Sequence, residues 1–337
     1  MSRTDRMATD LERGFTALEE GRIDDAAAAA ERCQRIDRKH PDVVMLAAAV
    51  ADARGDTEEA LAQYRTLAGL HPDDPMPRIC IARLELRDLE DPDAALDTLE
   101  AVFDFIDEEA DLIEAIFVKT EALLARHEPK AAREALAELA SSVIEDGEQA
   151  LDLAEFALAA EDADAAKRWI ESARKDPELT ADALHLLGRV HEDVGDREAM
   201  IAAWQQVLAL DRAAEPGHLT VDDDEVERVA LETLQELPAN IREKLERVPI
   251  LIDTLPSAEQ IADGLDPRLL GLFQGTPMSD DASAVPAITN ILLFRKNLER
   301  ASMDEDQLAD EIRVTVLHET AHYFGLDEDD LVALGLD

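Results

Sequence analysis

Aromatic side chains are scarce in this chain: they make up 4% of its 337 residues. Alanine and leucine supply most of the apolar content, which is 46%. That balance favours close-packed helices over sheets rich in β-branched and aromatic residues. Cysteine is nearly absent. Cys33 and Cys80 fall in separate helical segments, so they form neither a metal-ligand pair nor a disulfide framework, and both read as small buried apolar residues. Positive charge is also short: 33 Lys and Arg stand against 78 Asp and Glu, a net charge of −45. The acids recur along the whole length on the polar faces of helices. Such a surface repels phosphate backbones and anionic membranes, so no nucleic acid and no membrane is expected as a partner. No apolar run reaches the roughly 18 residues of a membrane-spanning helix. The opening stretch MSRTDRMATDLERG lacks the apolar core of a secretory signal, and a cytoplasmic location is expected.

What is there first is a repeat. GRIDDAAAAAERCQRID from Gly21, GDTEEALAQYRTLAGL from Gly55 and GDREAMIAAWQQVLAL from Gly195 align with one another. In each, a glycine opens a turn and apolar residues follow five and nine places later. Those positions are Ala26 and Ala30, Ala60 and Tyr64, Met200 and Trp204. Weaker copies place Ala95 and Leu99, Ala132 and Leu136, Ala166 and Ile170 between them. The anchors 26, 60, 95, 132, 166 and 200 are spaced by 34, 35, 37, 34 and 34. Two amphipathic helices flank each turn, with apolar residues at i, i+3, i+4 and i+7. Pro41, Pro72 and Pro177 follow trailing helices, where a helix stops at little cost. The pattern resembles the tetratricopeptide repeat over residues 8–213, in six units or five, the middle copies being weaker because they lack the turn glycine. That resemblance implies an all-α helical-repeat solenoid that binds a protein or peptide along a groove.

The last third differs. Residues 214–220 read as a linker with Pro216 and Gly217, and an acidic run from Asp222 follows it. Residues 221–337 then form a second domain of α+β class. Two helices are expected from VDDDEVERVALETLQELP and ANIREKLERV. Short strands are expected at 248–255, 269–277 and 288–294, separated by turn formers that include Pro267, Pro277 and Pro286. A long helix follows, with Ser302 and Glu305 expected as a capping box and Leu308, Ile312 and Val316 as its apolar stripe. Gly325 ends it.

Late in that helix the chain reads HETAH, from His318 to His322. Residues four apart lie one turn apart on one face, so both imidazoles can address one ion. Zinc favours nitrogen ligands, and a catalytic site keeps one position for water, whose pKa falls toward ~7. Glu319 is placed beside the metal as the general base that takes the proton from that water and returns it to the leaving amine. Two histidines do not complete a zinc site. In HETAHYFGLDE the glycine turns the chain back, and the third-ligand position falls on Glu328, with Asp327 as the alternative. His218, Arg295 and Arg313 read as surface residues, and Tyr323 as packing.

LLGLFQGTP, ITNILLFRKNLER and VTVLHETAHYFGLDEDDL together resemble the small bacterial zincin-like metallopeptidases, over about residues 221–337. The resemblance implies a small zincin core with one Zn2+, ligands His318, His322 and Glu328 or Asp327, and Glu319 as catalytic base. The repeat extension is absent from minimal members. Two functions follow. The first is a zinc metallopeptidase whose repeats bind a protein substrate or partner. The second is a repeat-based scaffold whose zinc-holding domain is weakly active or inactive. A retained Glu319 favours hydrolysis, because a structural zinc site has no use for a general base.

Overall fold

The computed structural model describes residues 3–215, 217–237, 239–245, 248–274 and 290–323, and the side chains of Asn240, Ile241, Lys244, His322 and Tyr323 lie outside that description. Packing divides the chain into two units, Met1–Ala173 and Arg174–Asp337.

Ten helices of the first unit form five hairpins. They are α1 (Arg3–Glu19) with α2 (Ile23–Asp37), α3 (Pro41–Ala53) with α4 (Thr57–Leu70), and α5 (Met76–Arg87) with α6 (Pro92–Glu100). Then come α7 (Glu109–Ala125) with α8 (Pro129–Ala137), and α9 (Gly147–Ala159) with α10 (Ala163–Ala173). A sixth hairpin, α11 (Thr180–Asp193) with α12 (Arg197–Ala213), lies in the second unit. Every anchor predicted from the repeat is buried, from Ala26 to Met200, and so is every partner four residues on, from Ala30 to Trp204.

The turns explain why six units share one geometry. Gly21, Gly55 and Gly195 have φ of +70°, +74° and +74°. Glu90, His127 and Glu161 occupy the same place in the middle units with φ of +53°, +58° and +59°. In most of these turns the next N–H reaches back five residues, as Asp56 to Ala51 at 2.9 Å, Asp162 to Ala157 at 2.8 Å and Asp196 to His191 at 2.8 Å. This closure satisfies carbonyls that the helix end leaves open. Asp56, Asp91, Asp162 and Asp196 then cap the trailing helix, each accepting an N–H three residues ahead. The middle turns keep the left-handed conformation without glycine, at a cost of roughly 1 kcal/mol each. The repeat is therefore carried by the turn conformation and the buried anchors, and the glycine is one way to reach it.

The second unit continues with α13 (Asp223–Glu236), α14 (Ala239–Leu245), β1 (Ile250–Asp253), α15 (Ala258–Ala262), β2 (Gly271–Gln274), β3 (Asn290–Phe294), α16 (Arg295–Ala301) and α17 (Glu305–Tyr323). The three strands run in the order β1-β3-β2, with β1 parallel and β2 antiparallel to β3. The central strand β3 is buried along its whole length, as the apolar run ILLF that follows Asn290 requires. Its residues Ile291 and Leu293 join Val226, Val229 and Ala230 of α13 and Leu308, Ile312 and Val316 of α17 in one core. The stripe read from the sequence thus faces the sheet. No helix among the described residues is long and apolar enough to cross a membrane.

Two expectations are corrected. Ser302 does not cap α17. Its hydroxyl donates to Leu298 O at 2.9 Å, closing the end of the short helix α16. Asp304 caps α17 instead, accepting the Gln307 N–H at 2.9 Å, while Gln307 Oε1 takes the Met303 N–H at 2.8 Å. Arg295 is not a free surface charge. It binds Asp223 at 2.7 Å, Glu299 at 2.8 Å and Val221 O at 3.2 Å, which ties α16 to the start of α13.

Candidate functional site

The site is built where α17 crosses β2. The backbone of α17 is helical through Tyr323, so His318 and His322 share one face, one turn apart. His318 is half-buried, and Glu319 is 7% exposed. A carboxylate so withdrawn from water needs hydrogen bonds to remain there. Glu319 Oε2 accepts the Phe273 N–H at 2.6 Å.

The ladder shows which edge that N–H belongs to. Leu270 O accepts the Phe294 N–H at 2.9 Å, and the register continues with Leu272 opposite Leu292 and Gln274 opposite Asn290. Bonded pairs alternate in an antiparallel ladder, so Gly271 and Phe273 turn their N–H and C=O away from β3. Glu319 therefore reaches from the helix to the outer edge of β2.

Gly271 makes that reach possible. A Cβ there would come within 2.5 Å of Thr315 Cγ2, 3.3 Å of Leu293 Cδ2 and 3.4 Å of Glu319 Cγ. The strand and the helix touch with no room for a side chain. Thr315 is β-branched and has only two favoured χ1 rotamers in a helix, so turning aside is costly in this buried place. Gly271→Ala is expected to destabilise the second unit by about 1–3 kcal/mol in chemical denaturation. Thr315→Ser removes Cγ2 and should restore most of the loss in the double variant. An unchanged Gly271→Ala protein would show that the contact is not tight.

Of the residues read as the site, the structure brings Glu319 to the edge of β2 and sets His318 beside it on the helix. The His322 side chain, Gly325, Asp327 and Glu328 lie outside the described residues. Among the described residues no group of three His, Cys, Asp or Glu side chains is gathered that could hold a metal ion. On the described part of α17, the His318 imidazole is a donor of the kind zinc takes, and the buried Glu319 carboxylate follows it directly in the place of a general base. His218 and Arg313 are exposed, as read from the sequence. The sequence reading missed Gly271, Thr315 and the Phe273 amide. The signal available was a glycine inside the apolar run LLGLF, where a missing side chain often marks a close approach.

Comparison with known proteins identifies both kinds of segment in the chain. Residues 17–84 and 181–213 match models of the tetratricopeptide repeat. The chain is thus a helical-repeat protein in its N-terminal part. Residues 245–336 match the model of the zincin-like metallopeptidases, so the chain carries a zincin-like metallopeptidase domain behind its tetratricopeptide repeats. Among solved structures, it is similar to PilW, a widely conserved type IV pilus biogenesis factor, at 16% identity and a TM-score of 0.51, covering 62% of this chain and 95% of that one. A tetratricopeptide repeat protein from Parabacteroides merdae matches at 14% identity and a TM-score of 0.44, covering 72% and 97%. The likeness to PilW shows the repeat fold alone. No curated protein matches the chain.

Proposed function

We propose that the C-terminal domain is a zinc-dependent peptidase and that the repeats hold a protein partner or substrate for it. The observation that carries the first part is the buried Glu319 carboxylate fixed on the outer edge of β2 by the Phe273 N–H. His318, His322 and an acid of the Asp327–Glu328 pair would hold one zinc ion. Lewis acidity from such an ion makes water nucleophilic near neutral pH. Glu319 accepts the proton of the attacking water and delivers it to the departing amine. An extended peptide is the substrate that suits a carboxylate lying along a strand edge.

The test is the metal content of the purified full chain, wild type and His318→Ala, alongside cleavage of a peptide library. About one zinc per chain and cleavage are expected for the wild type, with both lost in the variant. A wild-type protein without zinc after growth and dialysis in zinc-supplemented buffer rejects the reading.

For the second part, one cavity of the first unit supports a cationic partner. It measures about 900 Å³ and lies between α6, α7 and the segment that follows α8, at Glu138, Ser141 and Ser142. It forms where the repeat spacing stretches to 37 residues, between Ala95 and Ala132. The added residues make a single 3-10 turn, Phe103–Phe105, and a bend to Glu108. Leu96, Phe103 and Leu112 supply an apolar floor. Six carboxylates line the cavity, Glu100, Asp107 and Glu108 among them, against Lys119 alone. Lys119 is already engaged, 4.5 Å over the Phe103 ring and 3.3 Å from Glu138. The occupant that fits is a polypeptide segment carrying Lys or Arg beside apolar side chains. A labelled peptide of alternating Lys and Leu is the probe. Glu100→Lys with Glu108→Lys should weaken its binding about tenfold or more, while Glu12→Lys with Glu20→Lys, the same charge change on α1 and beside it, should not. Equal losses would mean that net charge alone attracts the peptide, and the pocket reading fails.

A further inference from the structure

The segment 255–270, which joins β1 to β2, is gripped along its length by the sixth hairpin. Leu255 and Ile261 bury into a cluster with Met200, Trp204 and Leu208 of α12. Arg212 donates to Pro256 O at 3.2 Å, and Arg197 donates to Asp263 O at 2.7 Å. Gly264 takes φ of +98° there, and a Cβ would stand 2.6 Å from Arg197 Nη1. The grip is strongest just before β2. His185 Nε2 of α11 sits 2.8 and 2.9 Å from the two Asp266 oxygens. Arg268 pairs with Asp182 of α11, and its Nε stands 3.5 Å from Asp211 of α12. From the other side Asn297 donates to Pro267 O at 2.9 Å and to Leu269 O at 2.8 Å.

His185 is itself held. Its ring stacks on Trp204 with centroids 6.5 Å apart, and its backbone carbonyl accepts the Trp204 indole N–H at 3.3 Å. Trp204 lies against Gly188, where any Cβ would meet the indole at 2.0 Å. Burial would raise the Asp266 carboxyl, but the His185 hydrogen bond and charge, with help from Arg268, hold it below the ordinary range.

Directly after this clamp the chain enters β2, whose first residue fits under Thr315 and whose third holds Glu319. We propose that His185, Asp266 and Arg268 are positioning residues of the peptidase domain: the α11–α12 hairpin sets the height of β2 against α17 and thereby the place of Glu319. The effect on turnover rests on the peptidase reading; the effect on β2 does not.

The full chain is compared as wild type, Asp266→Ala, His185→Ala, Asp266→Asn and Gly55→Ala, well below the unfolding temperature of each. Asp266→Asn keeps an oxygen that can accept from His185 and from the Arg268 N–H. Gly55→Ala strains a turn in the other unit and serves as the control. The first readout is hydrogen exchange of residues 271–274. Exchange about tenfold faster is expected in Asp266→Ala, and in His185→Ala should the first variant fail to fold. It should return to near wild type in Asp266→Asn and stay unchanged in Gly55→Ala. The second readout is a kcat lowered about tenfold with KM nearly unchanged, because a small misplacement of the base costs turnover first. Unchanged exchange at 271–274 in the clamp variants overturns the proposal, and so does faster exchange with unchanged kcat. Faster exchange in a chain whose wild type cleaves nothing leaves the strand positioning standing and removes the peptidase reading instead.

Discussion

Glu319→Gln is expected to lower peptide turnover by about 10²–10⁴-fold, which corresponds to about 3–5 kcal/mol of transition-state stabilisation. The substitution isolates proton transfer from everything else the side chain does. Glutamine has the same shape, and its amide oxygen can still accept the Phe273 N–H that the carboxylate accepts at 2.6 Å. The strand edge and the helix should therefore stay together. Zinc content should also stay, because the reading assigns ligation to the histidines and an acid beyond the helix. What the amide cannot do is take a proton from water and hand it to an amine. KM should move little, since the carboxylate is buried and serves the transition state. Steady-state kinetics with a fluorogenic peptide, alongside a zinc assay, measures all three quantities. Wild-type turnover in Glu319→Gln would remove the base from the mechanism. Retained zinc with no cleavage by the wild type would instead leave a zinc-holding module on a repeat scaffold.

Asp211→Ala is expected to destabilise the second unit by about 3–5 kcal/mol, toward the lower end of that range. Asp211 is 3% exposed, though it sits on a helix whose outer face is polar. Arg300 binds its two oxygens at 2.9 and 2.8 Å, and Arg268 stands at 3.5 Å, an ion-pair distance without hydrogen-bond geometry. Removing the carboxylate leaves two guanidinium groups short of a counter-charge. Arg268 keeps Asp182, and Arg300 is about a third exposed at 35%, which limits the loss. Arg300→Ala should cost less, because Asp211 retains Arg268. Denaturant unfolding followed in the second unit would resolve the difference. A loss below about 1 kcal/mol for Asp211→Ala would place the pair among surface ion pairs in effect.

How far the sequence could be read depended on the range of the interactions. The repeat was legible because its determinants are local and recur: a turn, a buried small residue five places on, and a larger one four places after that. From sequence alone the count is five or six units, because glycine is the visible marker of the turn. Glu90, His127 and Glu161 adopt the same left-handed conformation, which the sequence conceals. The three strands and the motif helix were legible from apolar runs and period. The cap of α17 was misplaced by two residues because Ser302 and Asp304 are both good caps, and only the end of α16 decides between them. The role of Gly271 and the clamp on Asp266 were not legible. Gly271 meets Thr315 44 positions on and Asp266 meets His185 81 positions back, and His185, Asp211 and Arg268 read in one dimension as ordinary polar residues of helices and loops.

The sixth hairpin also bears on where this chain can be cut. A division after Ala213, at the end of the repeat pattern, would strip Leu255 and Ile261 of the wall that covers them and leave Asp266 and Arg268 without His185 and Asp182. A division between Ala173 and Arg174 keeps those contacts whole. The hairpin that completes the repeat pattern is thus, for expression, proteolysis or recombination, the first segment of the second unit.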